Sequence, residues 1–188
     1  MSSEKFLTDY LANFSKLVHS SSDIISDLVQ IRDTIVAANK KGKKTIIVGN
    51  GGSAAIASHF SVDLTKNAGV RCINFNEADL ITCFANDYGF DHWIEKAVKF
   101  YGDEGDVFIA ISSSGNSKNM LNGCKAAKFE NFFSVITFSG FDADNLLRQL
   151  GDINLWVDSK AYNFVENIHQ IWLLAIVDLI IGSREYSA

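Results

Sequence analysis

The sequence has no proline in its 188 residues and only three cysteines. Without proline, its turns must depend on glycine, asparagine, aspartate and serine. Cys72, Cys83 and Cys124 have no spacing typical of a metal site, and an odd number of cysteines in a reducing compartment predicts buried free thiols. The cysteines therefore suggest neither a disulfide framework nor a metal site.

The sequence also lacks an excess of basic residues and a long apolar run. Its formal net charge of -5 at pH 7 repels polyanions, so we expect no nucleic-acid partner. The most hydrophobic stretch, 171–182, is interrupted by Asp178 and is shorter than the roughly twenty apolar residues of a membrane span. The polar N-terminus does not have the pattern of a secretory signal, so we expect a cytoplasmic protein without a membrane partner.

The spacing of apolar residues predicts a single α/β domain over residues 1–188. Residues 5–41 have helical periodicity and predict two helices, divided at Asp23 or at the serine run 20–22. From residue 43 to 182, short apolar runs alternate with helix-like segments, which predicts a parallel sheet covered on both faces, a three-layer α/β/α sandwich. The predicted strands are 45–48, 70–75, 106–112, 133–138 and, more weakly, 153–157. The predicted helices of this core are 54–66, 78–86, 90–101, 117–128 and 161–181.

The first predicted strand is followed by a glycine-rich loop, Gly49-Asn50-Gly51-Gly52-Ser53-Ala54. Glycines allow a ligand to approach the backbone, and the free N–H groups at the start of the next helix favour an anion. The loop also satisfies G-x-G-x-x-A, a dinucleotide-binding pattern, but that pattern requires an acidic residue at the end of the second strand. Asp63 lies inside the helix and Glu77 comes late, so we expect no nucleotide cofactor.

A second loop, Ser112-Ser113-Ser114-Gly115-Asn116-Ser117, also joins a predicted strand to a predicted helix. Its four hydroxyls and its helix N-terminus suit a phosphomonoester held by neutral donors. The alternative is a plain turn in which Ser117 caps the helix. Two such loops at strand ends favour the phosphate site.

At these residues the sequence resembles the SIS (sugar isomerase) domain family, and within it the sedoheptulose 7-phosphate isomerases. The resemblance lies in GNGGSAAIASHF at 49–60, ANDYGF at 85–90, GDVFIAISSSGNS at 105–117 and VENIHQ at 165–170. It implies a five-stranded, flavodoxin-like parallel sheet and a homotetramer with active sites between subunits. It also implies conversion of sedoheptulose 7-phosphate to a heptose 7-phosphate, a precursor of surface polysaccharides such as lipopolysaccharide or capsule.

The resemblance further implies a set of site residues. Those expected to bind the phosphosugar are Asn50, Gly51, Ser53, Asp87, Ser112, Ser113, Ser114 and Ser117. Asp87 would contact sugar hydroxyls, although it could also belong to a simple turn at a helix end. The implied zinc ligands are His59, Asp63 and Glu166, with Asp63 also the catalytic base.

The sequence departs from the family at the metal and acid/base positions. Asp63 stands for a glutamate, Glu166 for a glutamine, and Leu174 for a histidine, and leucine neither binds metal nor carries a proton. Gln170 lies on the same helix near Glu166 and is a candidate replacement ligand. His59 and Glu166 could instead be an ordinary helix histidine and a solvated charge.

These departures leave a second hypothesis open. The chain could be a SIS protein that binds a phosphosugar without catalysis and acts through protein association, like the family's replication-initiator-associating branch. The leading hypothesis remains an aldose-ketose isomerase with a modified metal and acid/base set.

Overall fold

The computed structural model describes residues 1–18 and 22–186. Its helices are α1 Ser3–Val18, α2 Ser22–Lys40, α3 Gly52–Lys66, α4 Ala78–Tyr88, α5 Trp93–Tyr101, α6 Lys118–Phe129 and α7 Tyr162–Ile181. Its strands are β1 Thr45–Gly49, β2 Cys72–Ile73, β3 Val107–Ser112, β4 Ser134–Ser139 and β5 Ile153–Trp156. The predicted N-terminal helical pair is confirmed. The division is not at Asp23, because α2 begins at Ser22, and residues 20 and 21 of the predicted serine run 20–22 lie outside the described residues.

The five strands form one parallel sheet in the order β2-β1-β3-β4-β5. Every residue of β1, β3 and β4 is buried, as expected for strands covered on both faces. One core cluster joins the sheet to α2, α3 and α7, and a second joins its other face to α5 and α6. The prediction of a three-layer α/β/α fold is therefore correct.

Strand β2 is much shorter than the predicted run 70–75, since only two residues pair with β1. It lies at the edge of the sheet. The segment that follows it makes hydrogen bonds through side chains and does not pair with a strand. Asn74 Oδ1 accepts from the Asn76 backbone N–H at 3.0 Å, and Asn74 Nδ2 donates to Ser61 Oγ at 2.7 Å. These bonds turn the chain away from the sheet after Ile73.

The prediction of three buried thiols is wrong for Cys83. Cys72 and Cys124 are buried, and burial raises the pKa of each thiol. Cys83 is exposed because α4, on which it lies, buries no side chain completely.

Helix α7 has the length and mean hydropathy of a membrane-spanning helix. In the fold, it packs against α2 and α3, and one of its faces is buried in the core. The buried residues on that face are Val165, Ile168, His169, Trp172, Leu173, Ile176 and Val177. A long apolar helix covered in this way is the core helix of the domain, and its first turn faces the carboxyl ends of the strands.

His169 on α7 is fully buried and predicts an acid-sensitive fold. Its Nε2–H donates to the Ser139 carbonyl oxygen at 3.1 Å, but desolvation dominates and lowers the pKa to about 4. The unfolded histidine takes up its proton near pH 6.5, so stability is retained above that pH and is lost as the pH falls towards 4. A shift of this size corresponds to about 3 kcal/mol.

We expect urea unfolding to show this loss between pH 7 and pH 4.5, and a smaller loss in the variant His169→Gln, which keeps an amide donor for Ser139. Comparing the pH slope of the two proteins removes the contribution of the carboxylates that both share. Equal slopes would contradict the assignment to His169.

The sheet order places the two predicted loops together. From β1 the chain crosses to β2 on one side, and later elements add β3 on the other side, so the order reverses between β1 and β3. Gly49 at the end of β1 is in register with Ile111 near the end of β3. Ligands of open α/β sheets bind at such a reversal, beyond the carboxyl ends of the strands.

Candidate active site

A cavity of about 210 Å³ lies where the glycine loop and the serine loop meet. Its lining residues are Asn50, Ser53, Ile111, Ser112, Ser113, Ser114, Ser117, Tyr162 and Glu166. Six of the eight residues predicted to bind the phosphosugar are among them, and the seventh, Gly51, lies in the loop beside them. We call this cavity the phosphate pocket.

The serine loop presents hydroxyl donors to this pocket. Ser112 Oγ donates to Ser117 Oγ at 3.2 Å, which leaves the Ser117 hydroxyl hydrogen for another acceptor. Ser117 precedes α6 but makes no side-chain capping bond, so the simple capping role is not observed. Ser113 Oγ is buried and has no hydrogen-bond partner among the described residues. A buried hydroxyl without a partner is costly, and a ligand oxygen in the pocket would satisfy it.

Two features determine the shape of the glycine loop: Gly49 packs closely against Ser53, and Gly51 has a positive φ angle. A Cβ on Gly49 would lie 2.6 Å from the Ser53 carbonyl oxygen, and Gly51 has a φ of 55°. Asn50 and Asn119 exchange two side-chain hydrogen bonds of 3.0 and 2.9 Å. The amide of Asn50 thus ties the loop to the first turn of α6 and brings the two loops together.

A second cavity, of about 360 Å³, adjoins the first and lies between α3 and α7. We call it the histidine cavity; Gly52, Ala55, Ile56, His59, Glu166, Asn167 and Gln170 line it. Glu166 is half-buried and lines both cavities. Its carboxylate lies against the N-terminus of α3, where a Cβ on Gly52 would be 2.7 Å from Glu166 Cδ. Glycine at position 52 leaves the space that this carboxylate occupies.

His59 stands between two polar side chains. Its Nε2 lies 3.2 Å from Asp63 Oδ2, one turn along α3, and its Nδ1 lies 3.2 Å from Gln170 Nε2 on α7. Because a carboxylate can only accept and an amide nitrogen can only donate, the neutral ring carries its proton on Nε2 and its lone pair on Nδ1. Asp63 therefore orients a histidine that lines the cavity, whereas Asp63 itself lines neither cavity.

The predicted zinc ligands do not assemble into a metal site. Within residues 1–18 and 22–186, no group of three His, Cys, Asp or Glu side chains has an arrangement that could hold a metal ion. The Glu166 carboxylate lies against Gly52, whereas His59 is paired with Asp63 and Gln170. Zinc needs its ligands about 2.0 to 2.3 Å from one point, and the described side chains of one chain are not arranged around such a point.

Two residues singled out from the sequence lie elsewhere. Asp87 is exposed on α4, where it accepts a hydrogen bond from Asn86 Nδ2 at 3.0 Å, and it lines neither cavity. Leu174 is half-buried on α7 and also lines neither cavity. Asp87 is therefore not brought to the pocket within one chain.

Three other site residues were not predicted from the sequence. Tyr162 and Asn167 line the cavities because α7 begins beside the phosphate pocket, and Asn119 holds Asn50 across the sheet reversal. These roles depend on where α6 and α7 pack, which local sequence does not reveal.

The charge of the two cavities is unusual for an anion site. Among the described residues that line them, none is a lysine or an arginine, and Glu166 is the only carboxylate. An anion would therefore be held by hydroxyls, backbone N–H groups and the N-terminus of α6. Glu166 would oppose it.

Comparisons with known proteins agree with this geometry. The family model described as SIS domain matches residues 9–140. The phosphoheptose isomerase of Fusobacterium nucleatum is 37% identical over 143 residues, which cover 73% of each chain. That of Cytophaga hutchinsonii is 33% identical over 161 residues, covering 83% of this chain and 82% of the relative.

The fold comparison covers more of the chain. The solved structure of phosphoheptose isomerase from Neisseria gonorrhoeae has a TM-score of 0.89 and 28% identity, and the match covers 96% of this chain and all of that one. The phosphoheptose isomerase structure from Francisella tularensis has the same TM-score of 0.89 at 25% identity. The chain therefore belongs to the SIS domain family, in the branch that contains the phosphoheptose isomerases.

Proposed function

We propose that this protein is a phosphosugar isomerase that interconverts sedoheptulose 7-phosphate and a heptose 7-phosphate. The observation that carries the proposal is the position of Glu166, which lines both cavities. One extended sugar phosphate can therefore place its phosphate among the serines and its carbonyl end beside His59. The names of the relatives supply the choice of a seven-carbon sugar.

The phosphate pocket supports the binding half of this proposal. Ser113 Oγ and Ser117 Oγ have hydrogens free to donate to phosphate oxygens, and the N-terminus of α6 adds backbone donors. Since the pocket residues hold no positive charge, binding energy comes from directed hydrogen bonds. Such a site selects the shape of a phosphate monoester and leaves the sugar chain pointing towards the histidine cavity.

The His59–Asp63 pair supports the chemical half. Aldose-ketose isomerisation removes a proton from C1 of the ketose, forms an enediol and returns a proton to C2, while the hydroxyl proton leaves O1 and O2 gains one. When the substrate displaces the Gln170 amide, the Nδ1 lone pair of His59 is free to accept the carbon proton, and the Asp63 carboxylate stabilises the positive ring that results. In this account Asp63 acts through His59 and is not itself the base that touches substrate.

The proposal also covers the role of zinc, the oligomeric state and the location of the enzyme. Because the His59–Asp63 pair supplies a base and a carboxylate that stabilises its protonated form, we assign the proton transfers to side chains and route no step through zinc. We propose a homotetramer, as the family resemblance implies, with α1 contributing to its interfaces because Phe6, Leu7 and Leu11 are exposed. We place the enzyme in the cytoplasm, where sugar phosphates are made and used.

The proposed function is tested by incubating the purified protein with sedoheptulose 7-phosphate and following the aldose product by NMR, with added zinc and with chelator. Formation of heptose 7-phosphate in chelator supports the account. Tight phosphosugar binding without turnover would favour the regulatory binding protein instead. Turnover only with zinc would overturn the assignment of proton transfer to side chains alone.

The variant Glu166→Gln tests the charge balance of the site. The carboxylate repels a bound phosphate, and a repulsion of at least about 1 kcal/mol is expected even at high dielectric. We therefore expect inorganic phosphate to bind about tenfold more tightly to the variant, with a difference that shrinks at high salt. Isothermal titration measures this, with the exposed surface variant Glu104→Gln as control. Weaker phosphate binding by Glu166→Gln would contradict the proposed repulsion.

A further inference from the structure

The chain after β4 supports the serine loop from behind. We call residues 140–147 the buttress segment. The Gly140 backbone N–H donates to the Ser113 carbonyl oxygen at 2.9 Å, and the Leu147 N–H donates to the Gly115 carbonyl oxygen at 2.8 Å. These two bonds attach both ends of the buttress segment to the loop that forms the phosphate pocket.

Asn145 is the centre of the buttress segment. It is only 3% exposed, and its Nδ2 donates to Ser139 Oγ at 3.1 Å, to the Gly140 carbonyl oxygen at 3.3 Å and to the Asp142 carbonyl oxygen at 2.8 Å. Its Oδ1 accepts from the Arg148 backbone N–H at 3.1 Å. Three oxygens converge on the amide nitrogen, so the position requires a donor.

The Asn145 side chain also lies directly against the serine loop. Gly115 has a φ of 68°, and a Cβ at that position would be 2.7 Å from Asn145 Cβ and closer still to the Asn145 amide group. The absence of a side chain at Gly115 therefore lets the loop rest on the Asn145 amide. Any shift of that amide moves Gly115, and with it the N–H groups that lead into α6.

We propose that Asn145, which lines neither cavity, is a positioning residue for the phosphate pocket. The inference rests on the proposed function, because it assumes that the serine loop binds the phosphate of the substrate. A neutral pocket depends on the direction of each hydrogen bond, and supporting residues must hold the donors to within about 0.5 Å. Asn145 does so by fixing the buttress segment and the Gly115 turn at once.

The test is the variant Asn145→Asp, which keeps the shape of the side chain but replaces its amide donor with a carboxylate oxygen. We expect the KM for sedoheptulose 7-phosphate and the Kd for inorganic phosphate to rise about tenfold, with kcat within twofold of the wild type. Loss of binding shared by substrate and transition state raises KM and leaves kcat unchanged. A general loss of folded protein would instead lower kcat per mole of chain without changing KM.

A matched control is Asn154→Asp on β5. Asn154 Nδ2 donates to the Gly151 carbonyl oxygen at 2.9 Å, and the residue lines neither cavity. We expect this variant to lose stability without a change in KM. Asn145→Ala is measured beside Asn145→Asp, because it removes the amide donor without adding a charge that could itself repel phosphate, and the same rise in KM is expected.

The experiment distinguishes failure of the positioning role from failure of the proposed function. Wild-type protein that binds phosphate, together with Asn145 variants of unchanged KM and Kd, would overturn the positioning role and leave the proposed function standing. Wild-type protein that neither binds phosphate nor converts the sugar phosphate would overturn the proposed function, and the inference with it.

Discussion

Replacing His59 with asparagine is expected to lower kcat for sedoheptulose 7-phosphate by about 10² to 10⁴-fold, the usual contribution of a general acid or base. His59 lines the cavity that adjoins the phosphate pocket, and Asp63 Oδ2 lies 3.2 Å from its Nε2. The side chain is 49% exposed, so its loss should change stability little. Steady-state kinetics with the substrate and titration with inorganic phosphate separate the two effects.

Phosphate binding should be unaffected by the His59→Asn substitution. We expect the Kd for inorganic phosphate to stay within about twofold, because the serines lie in the other cavity. The control is His92→Asn, the same change at an exposed histidine that pairs with Glu95 on α5 away from both cavities. A kcat within threefold of the wild type for His59→Asn would rule out His59 as the proton carrier.

Ser113→Ala is expected to weaken phosphate binding without lowering the stability of the fold. The Ser113 hydroxyl is buried and unpartnered among the described residues, whereas its backbone carbonyl bond to Gly140 does not depend on the side chain. Removing an unsatisfied polar group leaves the free energy of unfolding unchanged or raises it by about 1 kcal/mol. The same change removes the hydrogen bond that we propose between Ser113 and phosphate, worth about 1.5 to 3 kcal/mol, so phosphate should bind about ten to a hundredfold more weakly.

Ser61→Ala is the matched control for this prediction. Ser61 is also buried, but its hydroxyl donates to the Ser58 carbonyl oxygen and accepts from Asn74 Nδ2. We expect the Ser61 variant to lose stability and keep its phosphate affinity, as measured by urea unfolding and titration calorimetry. If Ser113→Ala loses stability and keeps full phosphate affinity, the hydroxyl does not face the ligand.

The fold was predictable because its signals are local. Short apolar runs alternating with helical segments predict buried parallel strands, and the structure confirms them at β1, β3 and β4. The length of β2 was overestimated, since apolar character does not reveal that Asn74 bonds to the Ser61 side chain and Asn76 to the Ser58 side chain after Ile73.

The candidate site was predictable only in part. The serine and glycine loops follow strands directly, and His59 and Asp63 are one helical turn apart, so their proximity follows from sequence spacing. The contact of Glu166 with Gly52 depends on how α7 crosses α3, and the contact of Asn145 with Gly115 depends on the path of the buttress segment. Long-range packing of this kind leaves no periodic pattern in the sequence.

The most direct test of the account is deuterium uptake from D₂O into the carbon chain of sedoheptulose 7-phosphate, followed by NMR in the presence of chelator. An isomerase that carries the carbon proton on His59 should exchange it with solvent, so deuterium should appear at the reacting carbons together with heptose 7-phosphate. The His59→Asn protein should show neither at a comparable rate. A wild-type protein that binds the phosphosugar tightly but leaves its carbon-bound hydrogens unexchanged, and forms no aldose with or without zinc, would contradict the account.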